Sequence, residues 1–427
     1  MKNFQTIIIF VFAALALLGV ILFAIQKSNS GEAIPQISLW GTMNSNIFNK
    51  ISNEMGSNKL APFKINYKQF REDNFDSELI EALASGVGPD AIILSQDKIL
   101  KYENKIFSVP FSSFSERNFR DGFIEGAEIF LTKDSIIAFP LTIDPLVMYW
   151  NRDVLSNVGI VKPPVYWDEI YPMVKKITEK DNSQNLKRMT IAFGEFINVK
   201  NAKEIISILI IQSGDPIVKR SENKIDITLG RTTSSTIPPA ESSVRFYTEF
   251  SNPSKDMYTW NKSLNNSLQE FLAGNLAFYI GFASELPGLR EKNPNLNFDV
   301  TKLPQIRDSQ TYKTFANING IAALKSSPNV SNIIKIIGYL ISSDASLLFS
   351  KSFNLPPVKR ELLAEKQTDA YRGIFYDSAI ISRAWLDPNP YETSAIFKNM
   401  IENITSGKLR ISESIGRASA EIKNLVK

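Results

Sequence analysis

The chain has 427 residues, with 48 Lys and Arg against 44 Asp and Glu, a net charge of +4, and neither histidine nor cysteine. That length suits two compact bodies, and so weak a charge offers no field for nucleic acid. Without His or Cys there are no disulfides, no thiolate or Ser-His-Asp chemistry and no His- or Cys-ligated metal, so neither a cofactor nor a metal is expected.

Ile7 to Ile25 carries no charge and is long enough to span a bilayer. It is read as a retained anchor, because Ser28-Asn29-Ser30 is a poor cleavage site; a cleaved signal peptide is the alternative. Both readings export the rest of the chain. Residues 1–35 are therefore expected to be a membrane anchor and tether, single-pass, with the folded part on the extracellular or periplasmic side.

From Gln36 the pattern alternates strand and helix. QISLW is a strand ending at Gly41, and Ile47, Phe48, Ile51 and Met55 mark a helix face. FKINYKQF is a second strand, and Phe75, Leu79, Ile80 and Leu83 mark a second helix with Asp76 as its N-cap. PDAIIL is a buried strand whose carboxyl end, Ser95-Gln96-Asp97-Lys98, falls where open α/β sheets place ligand crevices.

AFPLTIDPLVMYWNRDVL reads as a buried strand interrupted by Asp144-Pro145. Beyond it, Ile170, Met173, Val174 and Ile177 open a second α/β body. This body continues through Ile205–Ile211, a helix around Phe271 and the strand LAFYIGF. Thr232 to Ser243 reads as a surface loop. Later come the strand GIAAL, a helix with Ile333, Ile337 and Leu340, another capped by Asp344, and a terminal helix from Ile411 to Leu425.

Five stretches in this order resemble the extracellular solute-binding proteins of ABC importers, the family that includes maltose-binding protein. They are LIEALASGVGPDAIIL, AFPLTIDPLVMYWNRDVLSNVGIVKPPVYWDEI, LQEFLAGNLAFYIGF, NGIAALKSSPN and IFKNMIENITSGKLRISESI. The resemblance implies an α/β, two-lobed, periplasmic-binding-protein-like (type II) fold with an interlobe cleft, here preceded by one transmembrane helix. Lobe 1 is expected over 36–143 and 302–345, and lobe 2 over 146–301 and 346–427. Tyr166 stands where the family has a capping Thr, Phe278 replaces its Met, and the lipid-bearing Cys is missing.

On this reading the strand through Pro140 and Tyr149 crosses the cleft floor, where Asp144 accepts bonds from ligand hydroxyls and Pro145 suits the point at which a strand leaves its sheet. Asp97 and Lys98 match the charged pair that grips sugar hydroxyls in the family. Leu94 stands at the stacking tryptophan of the maltose-binding branch. Trp40, Thr42 and Asn44 are expected on the rim of the first lobe, Asn317 and Asn319 as its amides, and Glu195, Phe282 and Ser284 in loops of the second. Trp260 and Trp385 are read as cleft-lining aromatics, Trp150 as hinge packing, Trp167 as core and Asp90 as structural.

The expected function is that of a monomeric, membrane-anchored receptor, not an enzyme. It takes a sugar or other small polar solute between its lobes and presents it to ABC permease subunits. The same fold with a peptide or polyamine is the alternative, as is a glycoside hydrolase built on two carboxylates.

Overall fold

The computed structural model describes residues 34–57, 62–221, 224–232 and 237–426. The anchor expected over 1–35 lies outside them except for its last two residues. Among the described residues no single helix is long and apolar enough to cross a membrane.

In the first part of the chain, β1 (Gln36–Gly41), α1 (Ser45–Gly56), β2 (Lys64–Gln69), α2 (Phe75–Ala84) and β3 (Ala91–Ser95) appear in the predicted order. The expected cap of α2 is corrected, since Asn74 takes the N-cap position. Asp76, two residues further on, instead accepts bonds from Lys101 Nζ and Tyr102 Oη, each at 2.6 Å. Asp90 is structural, but it ties distant segments, accepting from Ser38 N at 2.7 Å and Ser327 Oγ at 2.6 Å.

The centre of the molecule is the strand β4 (Phe139–Asn151). The second body adds α3 (Ile170–Ile177), β5 (Leu186–Ile191), α4 (Ala202–Gln212), α5 (Pro239–Glu249), β6 (Leu276–Phe282) and β7 (Phe298–Thr301). The chain then returns through β8 (Thr314–Ala323), and α6 (Val330–Leu340), α7 (Ser343–Phe353), α8 (Ala370–Ile380), α9 (Pro390–Thr405) and α10 (Ile411–Leu425) complete it. The loop expected over Thr232–Ser243 gives way to α5, where Pro239 sits in the first turn and costs no hydrogen bond.

The strands lie in the order β2-β1-β3-β8-β4-β6-β5. β4 belongs to both halves of this sheet. Up to Pro145 it pairs antiparallel with β8, and from Leu146 onward with β6, while β7 covers Met148 to Asn151. The partner changes at Asp144-Pro145, where a residue without an amide hydrogen leaves no donor unpaired. This exchange divides the molecule into two lobes joined by continuous strands. On β8 a bulge comes after Asn319, and Gly320 accommodates it, because a Cβ there would stand 2.9 Å from Phe130 Cζ.

Two lobe limits differ from expectation. Residue 345 lies inside α7, which packs on α1 through Phe349 and Phe48, ring centroids 6.0 Å apart; the first lobe continues at least to Val358, whose carbonyl accepts from Ile124 N at 3.1 Å. A helix cannot be divided between two rigid bodies. Residues after 302 begin on the second lobe, where Gln305 N donates to Val165 O at 2.9 Å and Trp167 N to Gln305 O at 3.0 Å.

Candidate functional site

The strands that join the lobes carry polar groups on one face. Asn317 pairs with Asp144 and Asn319 with Thr142, so the four side chains are cross-strand neighbours on the same side of the sheet. Ile143 and Ile318, paired between them, point to the opposite side and are fully buried. Thr142 is buried, whereas Asp144, Asn317 and Asn319 remain partly exposed. Asn319 Nδ2 donates to Thr142 Oγ1 at 3.3 Å.

Gln96 locks this floor to the first lobe. Its Oε1 accepts from Ile318 N at 2.7 Å and its Nε2 donates to Asn317 Oδ1 at 3.3 Å. From the second lobe, Ser284 N donates to Asp144 Oδ1 at 3.0 Å. Burial pushes the Asp144 carboxyl up to about 7; the nearby Glu285 charge adds to the rise and the Ser284 bonds oppose it.

Beside the floor lies a cavity of about 480 Å³ between the lobes. The first lobe supplies Glu72, Asp97 and Lys98; the second supplies Phe196, Lys203 and Glu204, together with Tyr391 and Lys398 on α9. Ser95 Oγ donates to Asp97 Oδ1. Lys98 is 3% exposed, its ammonium 2.5 Å from Glu72 and 3.5 Å from Asp76. Burial alone would lower this ammonium, but Glu72, Asp76 and Asp97 together hold it above its ordinary value. Lys203 pairs with Asp387, which burial raises even so.

The family model described as bacterial extracellular solute-binding protein matches residues 53–375, most of the chain. The chain belongs to this family. A Brucella abortus binding protein is 20% identical to this solute-binding protein over 317 residues, covering 72% of this chain and 71% of the relative. A cyclo/maltodextrin-binding protein solved with maltotetraose shares its fold with a TM-score of 0.73 at 15% identity, over 93% of this chain and 98% of that one. The cyclic alpha-maltosyl-1,6-maltose binding protein of Arthrobacter globiformis reaches 0.76 at 12% identity, over 92% and 100%.

In this solute-binding protein the expected site residues fall into three groups. Asp97 and Lys98 line the cavity, and Asp144, Ser284, Asn317 and Asn319 lie at the floor. Trp40 and Thr42 are half-buried at the end of β1, where Trp40 packs on Phe70 at 4.6 Å; Asn44 is spent as the N-cap of α1, accepting from Asn46 N at 3.0 Å and Ile47 N at 3.2 Å. Glu195 is buried in the second lobe, where desolvation raises its pKa. Phe282 is buried against Phe315, its amide donating to Glu285 Oε1 at 3.0 Å.

The expected place of two tryptophans on the cleft wall is corrected. Trp260 is fully buried, its Nε1 donating to Asn198 Oδ1 at 3.1 Å. Trp385 is 4% exposed, donating to Ser207 Oγ at 3.2 Å and stacking on Phe397, and it borders a smaller space of about 310 Å³ between the lobes. Each indole N–H finds an internal acceptor, which makes burial of the whole ring favourable. Trp167 lies in the core, as expected, and Trp150 is half-buried beneath Arg152, paired with Phe278 and Asp299.

Gln96 lies in the crevice expected at the end of β3, whereas Thr142, Lys203, Glu204 and Tyr391 were not anticipated. Thr142 was within reach, because strand alternation puts it on the face of Asp144. Tyr391, 56% exposed and close after the cap Asn389, also carried a signal. Lys203 and Glu204 did not, since the first turn of a helix normally faces solvent.

Proposed function

We propose that this protein is the membrane-tethered receptor of an ABC importer, and that it holds a sugar or oligosaccharide between lobes that close around it without turnover. The pairing of Asp144 with Asn317 at the partner exchange of β4 carries this reading. A polar side chain on a continuous strand is tolerated where it meets a ligand, and a carboxyl beside amides and a hydroxyl suits a rim of sugar hydroxyls. The sugars named for the two similar structures, and the α-D-tagatose bound to a Thermotoga lettingae solute-binding protein with a TM-score of 0.63, support the substrate class.

Closure comes from ligand contacts made by both lobes, since a ligand shifts an equilibrium only by its preference for one state. Each net hydrogen bond contributes about 0.5–1.5 kcal/mol, so several from each lobe are needed to populate the closed form. Titration calorimetry of the purified chain against a sugar panel, with product analysis of the same samples, tests the reading. Stoichiometric binding of an intact sugar supports it; release of shortened sugars supports a hydrolase instead.

A further inference from the structure

Separate segments of the second lobe meet at one carboxylate. Glu285 ends the short turn that follows β6, and its side chain is 13% exposed. Oε1 accepts from Phe282 N, in its own turn, and from Asn201 Nδ2, each at 3.0 Å. Oε2 accepts from Lys200 Nζ at 2.8 Å and from Tyr279 Oη, on β6, at 2.6 Å. Gly281 leaves room for the side chain to fold back, because a Cβ there would stand 3.2 Å from Glu285 Oε1 and 2.6 Å from Tyr279 Cε1.

Capping the turn needs only the bond from Phe282 N, which a neutral amide could also accept. The other partners extend its reach. Lys200 and Asn201 end the loop between β5 and α4, and Phe196 of that loop lines the cavity between the lobes. Val199 N donates to Phe196 O at 3.4 Å, so Lys200 stands directly after the turn that carries the ring. At the other end, β6 stops with Phe282 opposite Leu146, and the turn beyond it brings Ser284 N to Asp144 Oδ1 at 3.0 Å. Tyr149 Oη holds the same turn, donating to Phe282 O at 2.8 Å. One largely buried carboxylate thus joins the wall of the cavity to its floor, and the Lys200 ammonium balances its charge.

We infer that Glu285 is a positioning residue: paired with Lys200, it fixes the Phe196 loop and the Ser284 turn against each other, so that the second lobe offers the sugar one preformed surface. This rests on the sugar-receptor reading and adds to it the residue that holds that site in shape. Neither Glu285 nor Lys200 has to touch the ligand. Contacts held in place beforehand bind more tightly, because less freedom is lost when the guest arrives.

The test uses the purified full chain with Lys200→Met, with Glu285→Gln, with both together, and with Lys200→Arg, which keeps a cation. Calorimetry with maltose, maltotetraose and D-tagatose reads affinity. Hydrogen exchange by mass spectrometry, measured before sugar is added, reads the segments 194–201 and 282–286 against the rest of the chain. Each single variant and the double are expected to weaken the best-bound sugar about tenfold and to speed exchange in both segments at once, while exchange elsewhere stays at the parent's rate. The double variant leaves no charge unpaired, so its melting temperature should stay close to the parent's even where a single variant melts early. Lys200→Arg should restore affinity and protection together. Parent-like affinity and exchange in the double variant overturn the inference and leave the sugar reading intact; faster exchange throughout the chain also overturns it, since that marks an ion pair serving stability alone. If the parent chain binds no sugar, the sugar reading falls and exchange decides by itself: loosening of both segments together keeps the tie through Glu285, and loosening of one or neither overturns it.

Discussion

Arg220 and Glu103 form a two-pronged ion pair across the lobe boundary, Nη1 to Oε1 at 2.8 Å and Nη2 to Oε2 at 2.9 Å. Arg220 sits on the hairpin Val218–Ser221 and Lys224–Ile227, which packs beside α10; Glu103 comes after β3 on the first lobe. A bidentate, half-buried pair of this kind contributes on the order of 1 kcal/mol to whichever state forms it. With the lobe closure proposed above, Arg220→Ala is expected to favour the open form and weaken ligand affinity about fivefold. Calorimetry gives the affinity and small-angle scattering the shift toward a larger radius of gyration.

Asp144 sets a pH dependence. Its carboxyl titrates at about 7 in the folded chain, against an ordinary value of 3.8. The folded state holds this proton more tightly than the unfolded chain, so the group's contribution to stability falls as pH rises from about 4 to about 7 and is constant above that. Asp144→Asn is expected to raise the stability at pH 8 by on the order of 1–2 kcal/mol after solvent screening, seen as a higher melting temperature, and to leave it unchanged at pH 4. If hydroxyls donate to the ionised form, sugar affinity strengthens as pH rises through 7, and the variant flattens that profile.

Trp260 and Phe196 separate core from cleft. Truncating the fully buried Trp260 to Ala removes a large ring and leaves Asn198 Oδ1 without its donor, and is expected to cost about 3–5 kcal/mol, read from denaturant unfolding. The affinity of the fraction that folds should be unchanged. Phe196→Ala, at the cavity wall, should do the reverse: less than about 1.5 kcal/mol of stability, with a clear loss of affinity. The opposite pattern would return Trp260 to the cleft.

Gln96 is the clamp between floor and wall. Gln96→Ala leaves the buried Ile318 amide without its acceptor and is expected to cost about 1–3 kcal/mol. Because Asp97 and Lys98 come directly after it, affinity should fall beyond what the stability loss explains. Gln96→Glu keeps that acceptor but buries a carboxylate against Asn317 Oδ1, so it should restore little of the stability. Chemical denaturation alongside calorimetry distinguishes the two effects.

Most of the element order was legible in the sequence. Phe48 and Ile51, Val174 and Ile177, and Ile415, Ala418 and Ile422 fall on buried helix faces as their spacing required. Capping was less legible, since Asp76 and Asp344 are good cap residues displaced two positions inward by Asn74 and Ser342. The tryptophans misled for a related reason. A loop position suggests exposure, but Asn198 and Ser207, distant in the chain, supply the acceptors that let Trp260 and Trp385 be buried.

By itself, the amino-acid sequence determined the alternation of strands and helices, the absence of thiol and imidazole chemistry, and the polar break at Asp144-Pro145, because each depends on residue type and on periodicity over a few neighbours. Only the tertiary structure decided that Asn317 stands opposite Asp144, that Gln96 bridges them to the wall, and that Glu204 shares a cavity with Asp97. Those meetings depend on strand register and on how two lobes face each other. Both arise from the packing of the whole chain, which no local pattern encodes.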